Sequence, residues 1–275
     1  MSQTVEYLLG VSETERARLI AQSEIHHAES EQLLDHIGVK PGWRAIDIGC
    51  GPLGVLDLLA RGVSPSGTVV GLDREPRMLE MAATSMAERS LDDVILVNGD
   101  ATDTKLPGES FDLVHERLVL INIPNPEQAV AEMVRLARPG GYVALQDFDV
   151  VSWICEPPHP FWDEVLGLLT GLWRSAGMDP SVGRRLPGLL RQAGLEDVQV
   201  RTNSHVWGPE DLYQTFTLQL VGVVRERILA NGALTAATLD ELVGGLAAHL
   251  EQPGTLVLHP TFFQAWGRKP THGCG

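Results

Sequence analysis

The sequence predicts an α/β fold, a largely parallel sheet covered by helices on both faces. Three observations carry this prediction. Short runs rich in Val, Ile and Leu recur at residues 45–48, 69–72, 94–97, 111–114 and 142–145. Between most of them lie stretches whose apolar residues recur at helical spacing. The first run enters a glycine turn, Gly49-Cys50-Gly51-Pro52-Leu53-Gly54, and then at once the apolar residues Val55, Leu56, Leu58 and Leu59. Strands that alternate with helices are joined by crossovers, so they lie parallel and a ligand sits outside their carboxyl ends.

Each element has its own signal. Ser12-Glu13-Thr14-Glu15 is a capping box, and Ala21, Ile25, Ala28, Leu33, Leu34 and Ile37 form a helical stripe that ends at Gly38, with a break expected near Ser30. His26 and His27 on this helix read as solvated or packed residues. Lys40-Pro41-Gly42 turns the chain into the first strand. Glycines 49 and 51 let a ligand approach backbone that a Cβ would block, and the helix that follows offers unpaired N–H groups. The second strand, residues 67–73, ends in Asp73. Glu75-Pro76 opens a helix whose Met78, Leu79, Met81, Ala82 and Met86 read as a core stripe. The third strand closes with Asn98-Gly99-Asp100-Ala101 and the fourth covers 111–115. A helix from Asn125-Pro126 to Arg138-Pro139-Gly140-Gly141 leads to the fifth, residues 142–147.

This order places Gly49, Asp73, Asp100 and His115-Glu116-Arg117 on one rim of one sheet. A carboxylate ending the second strand suits a ribose diol, each charge-assisted bond contributing about 1.5–3 kcal/mol. Asp100 can accept from an exocyclic amine, with the Ala101 N–H as a donor beside it. One such acid alone commonly caps a turn; three on one rim point to a nucleotide-type ligand.

Composition sets the outer bounds. The chain has 275 residues, 44% of them hydrophobic, enough for one large domain with a helical elaboration. A net charge of −15 argues against nucleic acid as a partner. Three cysteines make no disulfide framework, no Cys/His spacing suggests zinc, and no metal is expected. With neither a signal-type leader nor a run of roughly 18 apolar residues, the expectation is a cytoplasmic protein with no membrane partner.

The series IDIGCGPLG, VVGLD, NGDA, SFDLVHERLVL and RPGG resembles the class I S-adenosylmethionine-dependent methyltransferases, closest to the small-molecule branch of ubiquinone/menaquinone-type and natural-product methylases. It covers about residues 40 to 150, with Leu53 standing where glycine is frequent. The resemblance implies a Rossmann-like seven-stranded sheet with the last strand antiparallel and S-adenosylmethionine as cofactor. It also implies roles: Gly49, Cys50 and Gly51 at the cofactor's amino-acid part, Asp73 with Arg74 at the ribose, Asp100 and Ala101 at the adenine. Glu116 and Arg117 would flank the loop under the methionyl moiety, with Asp47 fixing the loop from behind.

The second half fits the same family. Residues 160–176 and 186–192 read as helices, 198–201 as a sixth strand, and 211–229 and 239–250 as two further helices. Residues 256–266 resemble the closing strand. The expected division is an N-terminal helical cap segment, 1–38, and a cofactor-binding core, 39–150. The remaining sheet, 151–270, carries cap helices at 152–178 and 209–251, and a tail follows at 271–275. The aromatic content of the cap implies a closed apolar pocket for a small metabolite, with Trp153 and Trp207, each near a strand end or an insertion, as its candidate walls.

Methyl transfer needs alignment and water exclusion, and a base only if the acceptor must lose a proton. His115, Asp147, Asp149 and His205 are candidates, His115 and His205 first because imidazole titrates near neutrality. Two other readings stay open. An NAD-dependent oxidoreductase shares the glycine loop and the acid after the second strand but not the NGDA and FD motifs. A cofactor-binding protein of this fold with another activity is the second. A monomer or homodimer is expected.

Overall fold

The structure is a computed structural model that describes residues 13–271 apart from 212, 231 and 233. The capping box at residues 12–15, the Asn231 break between the late helices and most of the tail lie outside the described residues. Two helices lead, α1 (Glu13–Ile25) and α2 (His27–Ile37). The break between them falls at His26 rather than near Ser30. Ser30 instead sits inside α2, buried, where its hydroxyl donates to Gln146 at 3.0 Å. Gly38 ends α2 as expected, in a left-handed conformation with its N–H bonded to Leu34 and Asp35 carbonyls.

The core then alternates: β1 (Arg44–Ile48), α3 (Leu56–Val63), β2 (Thr68–Asp73), α4 (Pro76–Glu88), β3 (Val94–Asn98), β4 (Phe111–Arg117), α5 (Pro126–Leu136) and β5 (Ala137–Asp149). Beyond it come β6 (Ile154–Glu156), α6 (Pro160–Ser175), α7 (Val182–Gln192), β7 (Glu196–Asn203), β8 (Val206–Trp207), α8 (Phe216–Ala230), α9 (Ala236–Leu250), β9 (Leu256–Leu258) and β10 (Thr261–Arg268). Seven strands form one sheet in the order β3-β2-β1-β4-β5-β10-β7. The pairs among β1 to β5 are parallel, and β10 runs antiparallel to both β5 and β7. This is the Rossmann-like sheet with an antiparallel last strand that the motif series implied.

Alternation along the strands sorts their side chains between two apolar layers. Ala45, Leu113 and Ala144 join Leu33 and Leu34 of α2 and Leu56 and Leu59 of α3 on one face. Ile46, Val114, Val143 and Leu145 join α5, α6 and α7 on the other. Being covered on both sides is what makes these strands read as continuous apolar runs. The methionine stripe of α4 is core: Met78, Met81 and Met86 are all buried.

Several boundaries differ from the sequence reading, three of them by enough to matter. Residues 256–266 are not one strand: β9 stops at Leu258, His259-Pro260 intervenes, and β10 starts at Thr261. Proline has no N–H to give a ladder, and the chain changes sheet there. β9 pairs instead with β6 and β8 in a small antiparallel sheet, whose strands are too short to show a period of two. Helix α7 begins at Val182, before the expected 186, and α8 begins at Phe216, after the expected 211. Among the described residues no helix is long and apolar enough to cross a membrane.

Candidate active site

The site grows from the turn after β1. Gly49, Gly51 and Gly54 all have positive φ, at 67°, 52° and 54°. A Cβ on Gly49 would fall 2.4 Å from Val119 Cγ2 and one on Gly54 2.1 Å from Asp47 Oδ2, whereas at Gly51 it would meet nothing within 4 Å. The first and third glycines therefore serve packing, and the second faces open space. Asp47 holds the turn from beneath. Its Oδ2 accepts from the Val55 N–H at 3.1 Å and its Oδ1 from His115 Nδ1 at 2.8 Å.

The rim acids converge on one cavity of about 420 Å³. Asp73 accepts from the N–H groups of Gly51 and Glu75, each at 2.9 Å. Burial raises its pKa from the ordinary carboxylate value. Asp100, exposed, turns back on Thr102, accepting from its N–H at 2.8 Å and its hydroxyl at 2.5 Å. Cys50, Arg74 and Ala101 line the same end. Burial, then the charges of Asp47 and Asp73, push the Cys50 thiol well up, so it is a neutral packing group.

Glu116 and Arg117 divide their duties. Arg117 is on the cavity wall and donates to Ser23 Oγ at 2.7 Å, Ser30 Oγ at 3.0 Å and the Gly54 carbonyl at 2.7 Å, tying both N-terminal helices to the glycine turn. Glu116 is off the wall and fully buried, accepting from Val119 N at 3.0 Å and Gln146 N at 3.1 Å. Burial, then Asp147, raises its pKa. It holds the Leu118-Val119 turn from inside the protein.

The far end of the cavity is apolar, walled by Phe148, Trp153, Leu169, Trp173 and Phe216. Trp153 lies on this wall. Trp207 does not: it lies off the wall, its ring stacked on His205 with centroids 5.2 Å apart and against Tyr213 at 5.5 Å. β8 is an edge strand of the small sheet.

Neither favoured histidine reaches the cavity. His115 is fully buried between strands, its Nδ1 on Asp47 and its Nε2 2.8 Å from Gln146 Oε1. His205 is off the wall, with Nε2 2.8 Å from Glu29 Oε1. Of the two acids, Asp147 is buried on the N–H groups of Ile121 and Phe148, burial raising its pKa to about 7, and Asp149 is held by Arg184. The histidine that does face the cavity is His259, at 4% exposure, with ring centroids 5.1 Å from Phe148 and 5.5 Å from Trp153. Burial, then the neighbouring His205, pulls its pKa down to about 3. Its signal was the proline at 260, which breaks the strand and leaves His259 at the rim.

Residues 46–145 match a family model described as a methyltransferase domain. A demethylmenaquinone methyltransferase of Anoxybacillus flavithermus is 33% identical over 200 residues, 68% of this chain and 84% of that protein. A nocamycin O-methyltransferase of Saccharothrix syringae is 36% identical over 122 residues, 44% of either chain, so that relative is matched over less than half its length. Among solved structures, the YcgJ protein of Bacillus subtilis has a TM-score of 0.61 at 18% identity, covering 89% of this chain and 99% of that one. A Haemonchus contortus phosphoethanolamine N-methyltransferase 2, solved with S-adenosyl-L-methionine, has a TM-score of 0.55 at 20% identity, covering 88% of this chain and 52% of that one. At these identities the two structures establish the fold. The relative that shares a third of its positions across more than two thirds of the chain establishes more: the chain belongs to the class I S-adenosylmethionine-dependent methyltransferases.

Proposed function

We propose that this methyltransferase acts on a small, largely apolar metabolite of quinone-type or secondary metabolism. One observation carries the proposal. The same cavity runs from Gly51, Asp73 and Asp100 to Trp153, Trp173 and Phe216, so a polar cofactor end opens directly onto an apolar acceptor end. The relatives named as demethylmenaquinone and nocamycin methyltransferases support that class of acceptor.

The residues fit the cofactor. Gly49, Cys50 and Gly51 would hold its amino-acid part, the open space beside Gly51 being what a Cβ would fill. Asp73, whose oxygens keep acceptor positions beyond their two backbone bonds, would hold the ribose hydroxyls, with Arg74 beside it. Asp100 and Ala101 would hold the adenine, and Arg117 would fix the turn under the methionyl group. When bound, S-adenosylmethionine supplies a sulfonium methyl group as the electrophile.

The chain contributes alignment and dryness. Trp153, Trp173, Leu169 and Phe216 exclude water from the acceptor, and Arg18, Leu19 and Gln22 of α1 add to the cavity wall. His259 stays neutral at physiological pH. A histidine so hard to protonate suits orienting an acceptor O–H or N–H by a hydrogen bond rather than removing its proton.

The test is S-adenosylhomocysteine formation with a panel of hydroquinones, phenols and polar amines. Turnover confined to the apolar members is expected; turnover confined to polar amines would overturn the acceptor class.

A further inference from the structure

Outside the cavity, one cluster of polar side chains has no role in methyl transfer. His26, at the joint between α1 and α2, is fully buried, and neither ring nitrogen has a hydrogen-bond partner among the described residues. Glu29, one turn on, is 5% exposed and its Oε2 is likewise without a partner. His205, from the segment after β7, brings its Nε2 to 2.8 Å from Glu29 Oε1, in a contact not aligned as a hydrogen bond. One ligating atom from each of the three lies within 4.8 Å of the others.

Burying an imidazole with both nitrogens bare is costly, and native interiors rarely do it without a partner. No side chain nearby supplies one, since His26 is otherwise packed against the rings of Phe262 and Phe148. From the cluster and its bare donor atoms we infer that His26, Glu29 and His205 bind one divalent transition-metal ion of the zinc class.

The donor set selects the ion. Two imidazoles with one carboxylate suit zinc and its first-row neighbours, whereas magnesium and calcium prefer oxygen throughout. Support around the ligands is in place. Asn203 Nδ2 donates to Glu29 Oε1 at 2.8 Å and Gln264 Nε2 to the Glu29 carbonyl at 2.9 Å, which orient the carboxylate and its helix. The His205 side chain is 28% exposed and gives the ion a way in. Three protein ligands leave a position for water, or for His259, whose unpartnered Nδ1 belongs to a ring 5.9 Å from that of His26.

Such an ion would join the α1–α2 joint to the strand segment after β7. Because Arg18, Leu19 and Gln22 of α1 line the cavity, the metal would hold that part of its wall in place. The inference is independent of methyl transfer and of the acceptor's identity.

The test uses tag-free, chelator-stripped protein titrated calorimetrically with zinc chloride and cobalt chloride, with visible absorption followed for cobalt. One ion per chain is expected, together with cobalt ligand-field bands and a higher Tm on metal addition. Glu29→Gln and His205→Ala should each weaken binding by about a hundredfold or more, on the scale of losing a ligand rather than its support. His27→Ala, which changes a neighbouring histidine paired with Asp57, should bind as the wild type does. Circular dichroism of each metal-free variant identifies those that fold, and either folded ligand variant decides the matter. Absence of stoichiometric binding, equal binding in the ligand variants, or binding of magnesium or calcium in preference to zinc would overturn the site.

Discussion

Asp73 accepts a hydrogen bond from the Gly51 N–H at 2.9 Å, across the polar end of the cavity. One carboxylate thereby sets the contour of the glycine turn and also lines the cavity, where we propose that it holds the cofactor's ribose. Asp73→Ala removes both. Each charge-assisted bond contributes about 1.5–3 kcal/mol, so affinity for S-adenosylmethionine and S-adenosylhomocysteine should fall by roughly tenfold or more. Calorimetric titration checks this, and wild-type affinity in the variant would remove Asp73 from the cofactor site.

The two tryptophans singled out in the sequence should separate. Trp153 is on the cavity wall, 3% exposed, and Trp207 is behind it against His205. Trp153→Ala should raise the KM for the acceptor by about tenfold or more, the effect of withdrawing a large aromatic contact, while leaving cofactor affinity unchanged. Trp207→Ala should chiefly lower Tm. Steady-state kinetics in both variants, with a thermal melt, distinguishes wall from backing.

A similar division holds for the histidines. His115→Ala strands Asp47 Oδ1 in the interior, leaves Gln146 Oε1 with Ser30 alone and opens a void, at a cost of about 3 kcal/mol. Stability and cofactor affinity should drop together, with acceptor KM unmoved. His259→Phe keeps the wall apolar and removes its polar atom. Acceptor turnover should fall while cofactor affinity holds. Opposite patterns would return His115 to the reacting centre.

One pH dependence follows from a carboxylate outside the site. Glu132 is held down to about 2 from 4.5, first by Arg135, against the opposing effect of burial, and further by Thr104, whose N–H and hydroxyl both donate to it. A folded pKa below the unfolded one means the unfolded chain takes up the proton first. The contribution is therefore complete above about pH 4.5 and is lost as pH falls toward about 2. Glu132→Gln should lower Tm at pH 7, and the gap to wild type should narrow steadily below pH 4.5; a constant gap would show that the charge does not matter.

What could be read in advance followed a simple physical rule. Asp73 and Asp100 each follow an apolar run, and in a parallel sheet a residue just past such a run stands on the carboxyl rim. Glycines 49, 51 and 54 were legible because left-handed backbone and close approach both select glycine. His115 was misread for a related reason: it also ends an apolar run, but β4 continues to Arg117, so its imidazole stays inside the sheet. His259 does not stand out because 256–266 resembles one closing strand, and the weight of Pro260 depends on a second sheet that two- and three-residue strands do not announce.

Linear order, periodicity and turn chemistry were therefore enough for the sheet, the glycine turn and the polar end of the cavity, since all of these depend on neighbours close in the chain. The acceptor end and the His26, Glu29 and His205 cluster depend on which helix covers which rim. His26 and Glu29 come from the first helices, His205 from the segment past β7, and His259 from the link between two late strands. Contacts between such distant segments are settled by how the cap buries its apolar faces on the sheet, a free energy of packing that has no local pattern.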